Sequence, residues 1–207
     1  MMEHGRPTSK RQRKKRYLLV AGGVVTENEY IDLLKLKFKN VIMKKHCKGC
    51  DPDTLAKYAS SLKKREEKAS KSFDEGRYDA FAGVFVITDV DDYSSQQFGN
   101  AWNICKAYNM ELIISNPCFE VWLIDHKETC SQSIQHTRDA QIHAKRLGLI
   151  CGENDKHIVE AELSDNVSIA CTNAAKHNVN RGARASLQAT NYAPWTDMPH
   201  LIEMIKD

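Results

Sequence analysis

Gly83-Val84-Phe85-Val86-Ile87-Thr88-Asp89-Val90-Asp91-Asp92-Tyr93 is the stretch whose reading decides the fold. An apolar, β-branched run empties into three carboxylates within four positions. A short apolar run bounded by polar turn residues reads as a strand buried on both faces, the kind found inside a parallel sheet. Asp89 and Asp91 are two apart and point the same way for as long as the extended conformation persists. Like charges on one side repel unless a cation lies between them. Asp89, Asp91 and Asp92 are therefore candidate ligands of a divalent metal at the carboxyl end of a central strand. The alternative is a solvated loop in which Asp92 and Ser94 cap the next helix, but one cap does not need three aspartates.

Working outward, Tyr17-Leu18-Leu19-Val20-Ala21 reads as a first buried strand that breaks at Gly22-Gly23. Val24-Val25-Thr26 leads into a helix, with Thr26 and Glu29 spaced as a capping box and Tyr30, Ile31, Leu34 and Phe38 on one face. Strand, glycine turn and helix form a βα unit, which presents backbone N–H groups to an anion. A second strand is expected over 40–45, followed by a basic turn, Lys44 to Lys48. Asp51 is the expected N-cap of a long helix that starts at Pro52 and runs to about Glu75.

Beyond the aspartates, Ser94 opens a helix with Phe98, Trp102, Cys105 and Tyr108 at core spacing. Met110 to Ser115 is a further strand, and Pro117 to His126 a helix apolar nearly all round, hence buried. Glu120 sits in its first turn, where interaction with the helix dipole is one explanation. Topology supplies another. Loops after successive parallel strands gather at one sheet edge, where ligands bind, and this brings Gly22–Glu27, Asp89–Ser95 and Ser115–Glu120 together. Glu27 and Glu120 are then candidates to join the aspartates. After His126 the pattern is helical and polar, with no clear strand, and it closes on a short amphipathic helix containing Leu201, Ile202, Met204 and Ile205.

The chain of 207 residues is long enough for one well-cored domain with an appendage. We divide it into a basic arm (1–16), an α/β core (17–126) and a helical C-terminal extension packed on that core (127–207). Residues 1–16 hold seven Lys or Arg against Glu3, a net +6, which leaves −3 for the remaining 191 of a chain whose total is +3. A basic arm on a slightly acidic body suits contact with phosphates, and Arg13, Lys14, Lys15 and Arg16 are its candidate nucleic-acid contacts; a solubilising tail is the alternative. No apolar run approaches a membrane span, so a cytoplasmic protein is expected. The seven cysteines are scattered and imply no disulfide framework. Cys47-Lys48-Gly49-Cys50, beside His46, is half of a zinc knuckle without a second half, and a reduced turn is the preferred reading.

Four places in the chain resemble the RloB family, whose core is similar to a Toprim-type catalytic fold. They are Arg13-Lys14-Lys15-Arg16, Thr26-Glu27-x-x-Tyr30, Thr88-Asp89-Val90-Asp91-Asp92, and Ser115-Asn116-Pro117-Cys118-Phe119-Glu120-Val121-Trp122-Leu123. The last is the most specific. The resemblance implies a Toprim-like, mostly parallel sheet flanked by helices. It also implies Mg²⁺ (or Mn²⁺) held for phosphodiester cleavage by a glutamate after the first strand and an Asp-x-Asp after a later one. Asp89 and Asp91 match the second element. Gly22-Gly23 stands where the pattern reads Glu-Gly, and Glu27 matches the second glutamate of that segment. Either Glu27 or Glu120 supplies the carboxylate, or this copy is weakened or inactive.

The resemblance further implies a place in anti-phage defence, with RNA (transfer RNA included) or DNA as substrate, an ATPase partner, and self-association left open. Two function classes follow. The first is a metal-dependent nuclease, with Glu27, Asp89, Asp91 and Glu120 as catalytic candidates. The second is a non-catalytic binding module of a defence complex. A third reading, a haloacid-dehalogenase-type phosphatase, requires the aspartate motif after the first strand of its domain, and here it follows a later one.

Overall fold

A computed structural model describes residues 13–72, 81–90, 93–178 and 192–206. Asp91, Asp92 and most of the basic arm lie outside these. Alternation along the central strands sets the architecture. The strands are β1 (Arg16–Ala21), β2 (Ile42–Cys47), β3 (Gly83–Asp89), β4 (Glu111–Asn116) and the short β7 (Trp195–Thr196), in the sheet order β2-β1-β3-β4-β7. All neighbours pair parallel except β7, which runs antiparallel to β4. The mostly parallel, helix-flanked sheet agrees with the expected Toprim-like α/β fold.

Each face of the sheet takes every second residue. Leu18, Val20, Val84, Val86 and Leu112 face α2 (Pro52–Ser72) and α3 (Ser95–Ala107). Tyr17, Leu19, Ala21, Phe85, Ile87 and Ile113 face α1 (Thr26–Lys37) and α4 (Glu120–Ile124). That second cluster continues through α5 (Thr137–Arg146), α7 (Val167–His177) and α8 (Met198–Lys206). The hydroxyl of Tyr17 on the first strand donates to the Met204 carbonyl on the last helix, 2.8 Å away. Burial of apolar side chains on both faces is what makes the central strands near-continuously hydrophobic in sequence.

Several boundaries differ from expectation, each for a local reason. Lys44, Lys45, His46 and Cys47 belong to β2 itself, an edge strand on which Lys44 pairs with Glu66 and Lys45 with Asp32. Charged residues on an exposed edge discourage further strand pairing. α4 is only five residues long, beginning at Glu120 and not at Pro117, though Cys118, Phe119 and every residue from Val121 to Ile124 are buried as expected. The C-terminal extension is mainly helical but also contributes a hairpin, β5 (Ile150–Cys151) with β6 (His157–Ile158), and then α6 (Glu160–Leu163). Strand β7 returns to the sheet. Ser115 and Thr196 exchange a hydroxyl hydrogen bond of 2.8 Å, while the Asn178 amide holds both backbone groups of Thr196. Pairs of two residues are too short to leave a period in sequence.

A cleft lined by carboxylates at the sheet edge

The register of β1, β3 and β4 brings their carboxyl ends side by side: Ala21 opposite Ile87, and Asp89 opposite Ser115. β1 sends the chain through α1 to β2 on one side, and α2 then crosses back to β3 on the other. The crevice between β1 and β3 is thus the switch point of the sheet, where open α/β folds bind ligands. A cleft of about 340 Å³ opens there, lined by the turn Gly22–Glu27, by Asp89 and Tyr93, by Cys118–Glu120, and by Thr137, Gln141 and Lys156. Glu27, Asp89 and Glu120 therefore share one cavity, as the sequence reading expected of them.

Aromatic packing seats the two glutamates against each other. Tyr30, one turn after Glu27, meets Phe119 edge-on at 5.4 Å and Trp122 at 6.2 Å between ring centroids. The Tyr30 hydroxyl donates to His126 Nε2 at 3.1 Å, and His126 Nδ1 donates to the Trp122 carbonyl at 2.9 Å. This buried lock fixes α1 on α4 with Glu27 and Glu120 both turned inward, 6% and 5% exposed. Burial pushes the Glu27 carboxyl up to about 7, and the neighbouring Glu120 pushes in the same direction. Hydrogen bonds from the backbone N–H groups of Glu27 and Gly23, and the charge of Lys156, offset only part of this. Burial also raises the Cys118 thiol, and Glu120 and Asp89 both add to that effect, so the two carboxylates flank Cys118 electrostatically.

The two glycines of the turn differ. A Cβ on Gly23 would stand 1.7 Å from Glu27 Oε2, because the Glu27 carboxyl folds back over that residue. The backbone donors that the turn was expected to offer to an external anion are engaged by Glu27. A Cβ on Gly22 would meet nothing closer than 3.7 Å, so a side chain can stand there at the cleft wall.

Other expectations need correction. Thr26 and Glu29 form no capping box. The Thr26 hydroxyl donates to the Lys156 carbonyl at 2.8 Å, and Glu29 accepts from His157 Nδ1 (2.7 Å) and the Ile158 N–H (2.9 Å). These side chains hold the β5–β6 hairpin against α1, a tertiary use that local spacing does not reveal. The basic stretch does not join the cleft. Arg13–Arg16 lead into β1, whose opposite end carries the cleft, and six extended residues separate the two by about 20 Å. Arg16 is committed locally, 3.6 Å from Glu66 and with its guanidinium 5.0 Å over the Phe81 ring, and Lys14 donates to the Lys39 carbonyl. Ser94 does cap α3, in a reciprocal box with Gln97, and Asp51 Oδ1 accepts from the Thr54 N–H at 3.0 Å to cap α2. The Ser94 cap is the one the alternative reading of the aspartate segment expected, while Asp92 lies outside the described residues.

For a hard cation the donor chemistry fits, since carboxylate oxygens are its preferred ligands. Among the described residues no three His, Cys, Asp or Glu side chains stand close enough to enclose a metal ion, and Asp91 and Asp92 lie outside those residues. The same holds for zinc at Cys47 and Cys50, which are free thiols raised by burial, with Cys47 Sγ 3.5 Å from Asn28 Oδ1. Sequence reasoning missed Lys156, Thr137 and Gln141 on the cleft wall. They come from segments without a motif, delivered by the packing of the C-terminal half.

The fold and the cleft together define an α/β protein with acidic side chains gathered at the switch point of a parallel sheet. The family model described as RloB-like protein matches residues 17–205, so the chain belongs to the RloB-like family. No curated relative and no solved structure matches it.

Proposed function

We propose that this RloB-like protein is a Mg²⁺- or Mn²⁺-dependent nuclease. The observation that carries the reading is the meeting of Glu27, Asp89 and Glu120 in one cleft at the switch point, with two of the three buried against each other. Buried like charges are costly and persist where a ligand or a proton is meant to be taken up. Asp89 would hold the metal with Asp91 and Asp92, two and three residues further along the chain, and Glu120 would complete the set. Such an ion, when bound, supplies charge neutralisation at the scissile phosphate and a more acidic water. Glu27, with its carboxyl near 7, can take a proton from the attacking water at the pH of the cell. Arg13 and Lys15, exposed at the far edge of the sheet, would meet the nucleic-acid backbone away from the scissile bond. The family resemblance supports RNA, transfer RNA first, as the substrate to screen, within a defence system that includes an ATPase partner.

The test is titration calorimetry with Mn²⁺ followed by a transfer-RNA cleavage assay, on the native protein and on Asp89→Asn and Asp91→Asn. Loss of binding and cleavage in both variants is expected; unchanged cleavage would remove these aspartates from the chemistry.

One observation favours a second reading, a binding module without turnover. The cleft wall at Gly22 carries no carboxylate, although the space for a side chain is there. On that reading the native protein is inert and Gly22→Glu creates metal-dependent cleavage. Turnover by the native protein rejects it.

A further inference from the structure

Apart from the ion, the nuclease reading assigns no side chain of the cleft to receive the substrate's own negative charge. Lys156 is placed to do so. It stands on the wall of the same cleft as Glu27, Asp89 and Glu120 although it comes from the other half of the chain. Its backbone is tied down on both sides. The Lys156 carbonyl accepts from the Thr26 hydroxyl, the next two residues are held by Glu29, and the Val159 N–H donates to the Leu149 carbonyl at 2.9 Å. The loop that precedes it is shaped by positive φ at Gly152, Asn154 and Asp155. Its main chain is thereby held against the first turn of α1, the helix that carries Glu27.

The ammonium is also uncommitted. Neighbouring lysines of the C-terminal half are spent on ion pairs, Lys145 with Asp155 and Lys127 with Glu162. Lys156 forms no ion pair among the described residues, and its side chain is exposed. Its charge acts on Glu27 without neutralising it. A flexible ammonium beside a group of carboxylates is the complement of a phosphodiester bridged to a cation on its other side.

We propose that Lys156 is the phosphate-binding residue of the cleft, contacting a non-bridging oxygen of the nucleic-acid backbone next to the scissile bond. This rests on the nuclease reading for its substrate class but not for its geometry. Lys156 positions substrate and takes no part in proton transfer.

The test measures binding of a short fluorescein-labelled RNA, and of DNA of the same sequence, by anisotropy with Ca²⁺ in place of Mg²⁺, for native protein, Lys156→Gln and Lys156→Arg. Lys156→Gln should weaken binding about tenfold or more and lower the salt slope by about one, and Lys156→Arg should restore most of the affinity. Melting temperature should not move, because only the backbone of Lys156 supports the fold. Native-like affinity and salt slope in Lys156→Gln, or no binding of either strand by native protein, would overturn the proposal. Mn²⁺ titration of the same three proteins separates the two readings. Loss of RNA affinity in Lys156→Gln with no Mn²⁺ bound by any of them keeps the phosphate contact and rejects the metal. Mn²⁺ binding with RNA affinity unchanged by the substitution rejects Lys156 and keeps the metal.

Discussion

Two sets of buried acidic groups lie on the two ends of the α4 segment, and they are treated in opposite ways. Asp125, at the C-terminal end, is fully enclosed and directly partnered. Its carboxylate meets His177 Nε2 at 2.8 and 3.0 Å and accepts from the Cys130 N–H, while its carbonyl accepts from the Asn173 amide. Glu120, at the N-terminal end, shares a cleft with Glu27 and Asp89, and its charge raises the Glu27 carboxyl more than Lys156 lowers it. Asp125 has been given an imidazole and a set of donors; Glu27 has two backbone donors, a like charge in Glu120 and a place on an open cleft. A closed pair ties the end of α4 to α7. An open cleft in which like charges meet is where a ligand gains most on arrival.

Three substitutions break this comparison at different points. The largest effect is expected for Asp89→Asn, which removes charge from the open set: transfer-RNA cleavage should fall by about three orders of magnitude or more, with melting temperature unchanged. Next, His177→Ala removes the imidazole partner of the buried Asp125 and should destabilise the protein by about 3–5 kcal/mol, read by urea unfolding, with cleavage lost only as the folded fraction is lost. A fall of less than about 1 kcal/mol, the value of a surface pair, would mean the pair is not what holds α7.

The smallest effect sharpens the open side. Glu27 has its carboxyl raised from 4.5 to about 7 in the folded protein, so the fold binds this proton more tightly than the unfolded chain does. The stabilisation is fully present below about pH 4.5 and is lost as pH rises through about 7, a change on the order of 3 kcal/mol. Native protein without added metal should lose stability over that window, and Glu27→Gln should flatten the loss. Equal pH dependence of the two proteins would show that Glu27 keeps its ordinary acidity.

How much of this was legible in the sequence follows from the range of each interaction. Leu18–Ala21 and Val84–Ile87 announce buried parallel strands because burial on both faces leaves an unbroken apolar run. Asp51 and Ser94 announce helix starts because a cap is made within three residues. Thr26 and Glu29 have the spacing of a cap and are not one, since better partners arrive from the hairpin near Lys156. Nothing local distinguishes the two outcomes. The shared cavity of Glu27, Asp89 and Glu120 was legible by one inference, that parallel strands deliver their following loops to a common edge.

What the amino-acid sequence alone determined is the set of central strands, the order of βα units and the three carboxylate-bearing turns, because each rests on contacts between near neighbours or on the two-residue period of a strand. Tertiary structure alone decided that the Glu27 carboxyl folds over Gly23, that Arg13–Arg16 stand at the far edge from the cleft, and that Lys156 reaches its wall. Each of these depends on where a distant segment packs, and packing is set by the summed burial of both faces of the sheet and not by any residue's own neighbours in the chain.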